Sequence, residues 1–223
     1  MSNILGSETG IKYIAIEGVI GSGKTSLALK IKERLNAELV LEQFEANPFL
    51  EKFYGDRKRF AFQTQMFFLV NRFKQQEVLN LGNLFTDYTV CDYIFEKDKI
   101  FAYLNLSGDE LKLYESIFPL LIRNLKKPDV VVYLQSNIDR LMYNIKRRGR
   151  KIERNLTRTY IEELSEVYNN FFFTYNSTPL IIVNSSEIDF VKNEKDFDEL
   201  FKQIFRDDRA FKEYFKPEKS RIL

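Results

Sequence analysis

A glycine-rich segment near the amino terminus constrains the fold of this chain more than any other feature. It matches the pattern G-x-x-x-x-G-K-[ST] with Gly18, Val19, Ile20, Gly21, Ser22, Gly23, Lys24 and Thr25. An apolar run at residues 11–17 precedes the segment, and an amphipathic stretch at residues 24–35 follows it. A phosphate-binding loop requires this order of strand, loop and helix. The sequence therefore predicts a P-loop.

The chemistry of such a loop predicts a bound nucleotide. Its glycines let backbone N–H groups close around phosphate oxygens, and the dipole of the following helix favours negative charge. Lys24 is expected to reach the β- and γ-phosphates, and the Thr25 hydroxyl is expected to ligate Mg²⁺. We expect ATP to contact the loop from Gly18 through Ser26.

Strand-length apolar runs alternate with helical stretches along the rest of the chain. The predicted strands are 11–17, 38–41, 88–91, 129–135 and 180–184. The predicted helices are 24–35, 60–81, 110–126, 138–148, 159–175 and 196–205. Most strands are continuously hydrophobic, as strands buried on both faces are. The alternation predicts an α/β fold, a five-stranded parallel sheet sandwiched by helices.

The length of 223 residues fits one domain. We expect this domain to span residues 11–205. The segments 1–10 and 206–223 are polar and are predicted to be terminal tails.

Composition narrows the chemistry and the partners. The chain has no histidine, so a general base must be a carboxylate, a lysine, a tyrosine or Cys91. The balance of 34 Lys and Arg against 32 Asp and Glu argues against a nucleic-acid or membrane partner. A single cysteine excludes an intrachain disulfide framework. No apolar run approaches the ~20 residues that span a bilayer, and no secretory signal is evident, so we expect a cytoplasmic protein.

A P-loop identifies the phosphate donor and leaves the acceptor open. The Asn-Lys-x-Asp motif with which GTPases read guanine does not occur in the chain. Asp92 follows the predicted strand 88–91 and could be the acid beside Mg²⁺ in a small kinase or in an ATPase. Other segments must distinguish these classes.

Four further segments carry a family resemblance. They are Glu42 with residues 47–54, residues 60–65 with Arg72, residues 92–102, and residues 146–153. Their order and spacing resemble the deoxynucleoside kinase family, especially its bacterial deoxyadenosine/deoxyguanosine kinase branch, over residues 13–204. The resemblance implies a P-loop kinase fold with an arginine-rich lid, a homodimer, and phosphorylation of the 5′-hydroxyl of a deoxynucleoside.

The resemblance implies the catalytic groups. Glu42 is similar to the carboxylate that accepts the 5′-hydroxyl proton, and without histidine a carboxylate is the natural base. Lys24 and Arg148 would act on the transferred phosphoryl group. Asp92 would ligate Mg²⁺ together with Thr25, or serve as an alternative proton acceptor. Many relatives have Glu-Arg-Ser where this chain has Asp92, Tyr93 and Ile94, and a tyrosine cannot supply the arginine's charge.

The resemblance also implies groups that bind the base. Gln65 is similar to the glutamine that reads the base edge, through one acceptor and two donors on its amide. Because Gln65 and Arg72 share a helix face at sevenfold spacing, both are expected to face one pocket, while Gln63 points elsewhere. Asp98 is similar to the aspartate of the base pocket. The aromatic candidates for stacking on the base are Phe44, Phe67 and Phe95.

Sugar and phosphate contacts are implied in the same way. Tyr54 and Glu153 resemble the pair that holds the 3′-hydroxyl. Arg148 and Arg150 resemble lid arginines that neutralise charge on the phosphoryl group. The same cluster also suits a helix carboxyl terminus, where basic charge and a glycine cap are favourable. The residues that resemble a loop cradling the ATP adenine are Asp189 and Phe190.

The sequence thus predicts γ-phosphoryl transfer from ATP–Mg²⁺ to a deoxynucleoside, with a purine preferred through the branch that it resembles. Two alternatives stay open. One is a nucleoside monophosphate kinase of the thymidylate-kinase type, although Glu42 would repel a substrate's own phosphate. The other is a P-loop nucleotide switch that is not an enzyme.

Overall fold

A six-stranded parallel sheet forms the centre of the molecule, in the order β2-β3-β1-β4-β5-β6. The computed structural model describes residues 10–79 and 85–216. The strands are β1 (Tyr13–Gly18), β2 (Glu38–Val40), β3 (Thr89–Cys91), β4 (Val130–Gln135), β5 (Leu180–Asn184) and β6 (Lys212–Phe215). The predicted α/β fold with a parallel sheet sandwiched by helices is confirmed.

Helices occupy most of the connections between the strands. In chain order they are α1 (Lys24–Leu35), α2 (Leu50–Gly55), α3 (Arg57–Leu79), α4 (Lys97–Asn105), α5 (Gly108–Ile122), α6 (Ile138–Arg148), α7 (Arg158–Thr174) and α8 (Glu194–Ile204). Short 3-10 turns lie at Phe44–Ala46 and Lys151–Glu153. Within the described part of the chain, no helix is both long and apolar enough to cross a bilayer.

The continuous apolar strands are explained by burial on both faces of the sheet. Tyr13 and Ala15 of β1 pack into one core with α3, α4, α5 and α7. Ile14 and Ile16, which point to the opposite face, pack into a second core with α1 and α8. Alternate residues of a strand face opposite sides, so a strand between two cores must be apolar at every position.

The prediction of five strands is wrong by one. β6 pairs in parallel with β5, with Ile182 opposite Tyr214, inside the segment 206–223 that was predicted to be a tail. This edge strand is only four residues long, and Phe215 packs against the second core. Because Phe215 is the residue of β6 that packs on this core, the strand has no continuous apolar run. The search for apolar runs therefore did not predict β6. Residues 1–9 and 217–223 lie outside the described residues.

Two helices that the pattern did not indicate build much of the site. α2 carries Tyr54, and α4 carries Lys97 and Asp98. The remaining helices lie within a few residues of their predicted bounds. The predicted end of the helix at 60–81 falls partly outside the described residues, because α3 is described only to Leu79.

Candidate active site

The predicted catalytic groups meet at one edge of the sheet. Gly18 ends β1, Glu42 follows β2, and Asp92 follows β3 directly. These three strands are parallel neighbours, so their carboxyl ends lie side by side. Open parallel sheets bind ligands at this edge.

Two P-loop glycines, Gly18 and Gly21, occupy positions where no side chain fits. A Cβ atom on Gly18 would lie 2.5 Å from the Ser22 Oγ and 2.7 Å from the Leu134 carbonyl oxygen. A Cβ on Gly21 would lie 2.7 Å from the Leu141 carbonyl oxygen, with φ at 88°. The pattern of glycines therefore follows from close backbone packing as well as from phosphate binding.

The Lys24 side chain is hydrogen-bonded to the backbone of the P-loop. Its Nζ donates to the Gly18 carbonyl at 2.7 Å and to the Val19 carbonyl at 3.3 Å. Burial, together with repulsion from Lys97, outweighs the attraction of nearby carboxylates and lowers the pKa of Lys24 to about 8. A phosphate beside Lys24 would favour its charged form.

Asp92 links the P-loop helix to the strand that precedes Glu42. Its Oδ2 accepts from the Thr25 hydroxyl at 2.7 Å, and its Oδ1 accepts from the Glu42 backbone N–H at 2.8 Å. The structure thus brings together the two predicted Mg²⁺ ligands. Among the described residues, no group of three or more His, Cys, Asp or Glu could hold a metal ion.

Two cations from different helices form ion pairs with the Glu42 carboxylate. Arg72 donates from Nε at 2.8 Å and from NH2 at 2.5 Å to Oε1, and Lys97 donates from Nζ at 2.9 Å to Oε2. Burial alone would raise the pKa of Glu42, but the charges of Lys97 and Arg72 outweigh it and hold the pKa well below its ordinary value. Glu42 is therefore an anion at neutral pH.

Gln65 and Arg72 share one buried face of α3, as predicted, and Gln63 is exposed. The Gln65 Nε2 donates to the Asp98 carbonyl at 2.9 Å and to the Asp98 Oδ1 at 2.5 Å. Both partners are acceptors, so the amide orientation is determined. The two N–H donors, which were expected to read the base, are turned toward Asp98.

Asp98 lies behind the pocket wall. Its side chain is completely buried, and its Oδ2 accepts from the Arg72 NH1. Asp98 thus contacts Gln65 and Arg72, which line the acceptor cavity, and its predicted contact with the substrate stays a prediction. The sequence predicted the place of Asp98 from spacing alone. Spacing does not show that the side chains of Gln65 and Arg72 lie between Asp98 and the cavity.

One cavity joins the predicted acceptor groups to the P-loop, and we call it the acceptor cavity. Its wall includes Lys24, Thr25, Glu42, Tyr54, Gln65, Arg72, Asp92, Lys97, Arg148, Arg150 and Glu153. Its aromatic side chains include Phe44, Phe53, Phe68 and Phe101. Of the three aromatic candidates, only Phe44 is in this wall; Phe95 stacks on Phe118 in the core instead.

A second cavity lies on the other side of the P-loop, and we call it the donor cavity. Its wall includes Gly21, Ser22, Gly23, Ser26, Asp189 and Phe190. Arg148 lines both cavities. The Asn144 side chain donates to the Gly21 carbonyl at 2.8 Å, which fixes α6 and its arginines beside the loop.

The predicted lid arginines lie beside Glu153, the carboxylate that is predicted to contact the sugar. The Arg148 Nε donates to the Glu153 Oε2 at 2.8 Å, and its NH2 donates to Oε1. Arg150, predicted to contact ATP, lies in the acceptor cavity with its guanidinium 4.4 Å from the Phe44 ring centre. Gly149 caps α6 with φ at 62°, so the basic cluster is both a helix terminus and part of the two cavities.

Tyr54 faces the same cavity from α2. Its ring contacts those of Phe53 and Tyr160. Burial raises the pKa of Tyr54 well above its ordinary value, with Tyr160 and then Glu153 adding to the effect. The phenol therefore remains a protonated donor.

Sequence reasoning missed several charged or aromatic groups of the acceptor cavity, among them Lys97, Phe68 and Phe101. Lys97 stands against Glu42, and Phe68 and Phe101 join the aromatic wall. Tyr93 stands where the resemblance implies an arginine. This difference was the signal in the sequence that another residue supplies positive charge near Glu42. Nothing local identified Lys97, because its helix was not predicted.

Comparisons with known proteins agree with the geometry. A family model described as deoxynucleoside kinase matches residues 14–207. The chain is 35% identical over 193 residues to a deoxyguanosine kinase of Bacillus subtilis, covering 84% of this chain and 93% of that one. It is 31% identical over 199 residues to a deoxyadenosine/deoxycytidine kinase of the same organism, covering 86% and 90%.

A solved structure has the same fold. It is a deoxyadenosine kinase from M. mycoides with bound dATP, which matches with a TM-score of 0.76 at 25% identity. The match covers 86% of this chain and 98% of that one.

Proposed function

Because this chain belongs to the deoxynucleoside kinase family, we propose that it transfers the γ-phosphoryl group of ATP to the 5′-hydroxyl of a purine deoxynucleoside in nucleotide salvage. One observation carries the proposal. The P-loop residues Lys24 and Thr25 and the carboxylate of Glu42 line the same cavity as Gln65 and Arg72. Donor and acceptor groups thus face a common space, as direct transfer requires.

The donor nucleotide would lie across the P-loop. Its adenine would occupy the donor cavity near Asp189 and Phe190, and its phosphates would meet the loop and Arg148. Arg148 borders both cavities, which supports a role in which its guanidinium would neutralise charge on the group in transfer.

The residues present fit a magnesium ion. Mg²⁺ is usually held by one or two protein oxygens together with substrate phosphates. The Thr25 hydroxyl and the Asp92 carboxylate lie 2.7 Å apart beside the loop and would supply those oxygens. When bound there, Mg²⁺ would neutralise phosphate charge.

The acceptor would bind with its hydroxyl at Glu42 and its base at Gln65. Tyr54 and Glu153 would hold the 3′-hydroxyl between a donor and an acceptor. With its amide nitrogen turned to Asp98, Gln65 would present its carbonyl oxygen to an N–H of the base. Adenine and guanine both carry such groups, and the purine preference is supported by the names of the relatives.

A panel of phosphate acceptors tests the proposal. Purified protein is mixed with labelled ATP, Mg²⁺ and, in turn, each deoxynucleoside, each ribonucleoside and each deoxynucleoside monophosphate. We expect the highest kcat/KM with deoxyadenosine or deoxyguanosine. Faster turnover of thymidylate than of any nucleoside would contradict the proposal, as would ATP hydrolysis that no nucleoside changes.

We also propose that the protein is a homodimer. α3 packs against α5, and each helix exposes large apolar side chains: Val70, Val78, Leu113 and Leu120. Light scattering after size-exclusion chromatography would give twice the 26.5 kDa mass of the chain. A mass of one chain at micromolar concentration would exclude the dimer.

A further inference from the structure

Lys97 occupies a position that the proposed chemistry leaves without a role. It is the first residue of α4, its side chain is 3% exposed, and it lines the acceptor cavity. Its Nζ lies 2.9 Å from the Glu42 Oε2 and 3.8 Å from the Glu17 Oε1. A lysine is rarely buried to this degree without partners, and here both partners are carboxylates.

Glu17 is fixed from several directions. It is fully buried at the end of β1. Its Oε1 accepts from the Gly18 N–H at 2.9 Å and from the Tyr168 hydroxyl at 3.1 Å, and its Oε2 accepts from the Ile94 N–H at 3.1 Å. These contacts tie Glu17 to the first residue of the P-loop, so the carboxylate offers Lys97 a rigid anchor.

The hydrogen bonds that hold the Glu42 carboxylate come from Arg72 and Lys97. Glu42 lies in the connection after β2, and its side chain is 16% exposed. Arg72 of α3 holds Oε1, and Lys97 of α4 holds Oε2. Because each oxygen is bound from a different helix, the two cations together fix the plane of the carboxylate.

We propose that Lys97 is a positioning residue that holds the Glu42 carboxylate toward the acceptor, with Glu17 bracing the lysine from the P-loop side. The proposal rests on the proposed function, since it assigns to Glu42 the contact with the acceptor hydroxyl. Glu17, Lys97, Glu42 and Arg72 then form a continuous chain of alternating charge from the start of the P-loop to the base-reading helix α3. A carboxylate out of place by about 1 Å would slow transfer strongly.

The first test removes the charge of Lys97. In Lys97→Met, we expect kcat to fall on the order of 10²-fold, with a smaller change in KM, because the carboxylate turns away while most acceptor contacts remain. Lys97→Arg keeps the charge and should recover most of the loss. Lys99→Met is the matched control on the same helix, because the Lys99 ammonium lies over the Phe118 ring; its kcat should equal that of the unchanged protein.

The second test separates positioning from a purely structural role. If Lys97 acts through Glu42, Lys97→Met should cost little kcat once Glu42→Gln is present, since the carboxylate it positions is gone. An equal fold-loss in both backgrounds would overturn the proposal, as would an unchanged kcat in Lys97→Met. Urea unfolding and ATP binding show how much of each variant is folded. If Lys97→Met does not fold, the same cycle is run with Lys97→Gln.

These outcomes are distinct from failure of the proposed function. If the unchanged protein phosphorylates no deoxynucleoside, the proposed function is wrong. If the unchanged protein is active and the cycle is additive, only the role of Lys97 is wrong.

Discussion

Two neighbouring cations change the acid–base chemistry of the Glu42 carboxylate. Arg72 and Lys97 hold its pKa well below the ordinary value, which makes it a weaker base and keeps it charged at neutral pH. Phosphoryl transfer through a loose transition state needs little proton abstraction before the phosphorus–oxygen bond forms. In the proposed reaction, Glu42 would therefore orient the hydroxyl and take its proton late in the transfer.

Replacing Glu42 tests this role at a single residue. Glu42→Gln keeps the size of the side chain and removes its charge, so we expect kcat to fall by roughly 10²–10⁴-fold with little change in acceptor binding. Glu45→Gln, at an exposed position in the adjacent turn, is the control and should leave kcat unchanged. A near-normal kcat in Glu42→Gln would transfer the role to Asp92.

Tyr54 is tested with a substrate that lacks the 3′-hydroxyl. If the phenol donates to this hydroxyl and Glu153 accepts from it, a 2′,3′-dideoxynucleoside leaves both groups unpaired and should be a poor substrate. In Tyr54→Phe the penalty for losing the hydroxyl should shrink. From kcat/KM in the two-by-two cycle we expect a coupling of about 0.5–3 kcal/mol. The same penalty in both enzymes would leave Tyr54 as a core aromatic only.

α3 shows how one helix distributes its residues between core, cavity and solvent. Gln65, Leu69, Arg72 and Gln76 are buried, spaced by three and four residues, while Gln63 is exposed. Residues at this spacing lie on one helix face. The face therefore delivers two polar side chains to the cavity and anchors them in a hydrophobic core.

Comparing two glutamines tests this face. Gln65→Ala should reduce discrimination among bases by roughly 1–3 kcal/mol, because it removes the carbonyl oxygen that we propose contacts the base. Gln63→Ala makes the same chemical change two residues away on the exposed side and should leave discrimination as it was. The measurement is the ratio of kcat/KM values for deoxyadenosine and thymidine. Equal effects of the two substitutions would mean that Gln65 does not read the base.

In the molecule as a whole, the candidate active site and the β6 edge lie at different ends of the sheet. The proposed catalytic groups follow β1, β2 and β3, while β6 lies at the opposite edge next to β5. β6 also lies beyond the residues 14–207 that match the family model. It is therefore expected to contribute stability and to leave the chemistry unaffected.

Shortening the chain to end at Asp208 tests this separation. The loss of β6 uncovers the edge of β5 and removes the packing of Phe215 on the second core, so the urea midpoint should fall. The kcat of the folded fraction should not change. Tyr214→Ala, at a side chain that is 68% exposed, is the control and should hardly move the midpoint. An unchanged midpoint in the shortened chain would show that β6 adds no stability.

Local patterns in the sequence determined the fold class, the P-loop and the shared face of Gln65 and Arg72. Burial on both faces makes a strand apolar throughout, and helical periodicity fixes which residues share a side. Such features depend on neighbours in the chain, so one sequence suffices to predict them. The positions of Glu42 after β2 and Asp92 after β3 were also predicted, because each carboxylate directly follows a short apolar run in the sequence.

The tertiary structure alone decided which charges meet. Glu17, Lys97, Glu42 and Arg72 come from four separate segments, and Lys97 lies on a helix that periodicity did not indicate. The orientation of the Gln65 amide is likewise set by Asp98 across the helix pair. Ion pairs and hydrogen bonds act over a few ångströms in space whatever their separation in sequence, so only the packing of α3 and α4 against the strand ends determines these contacts.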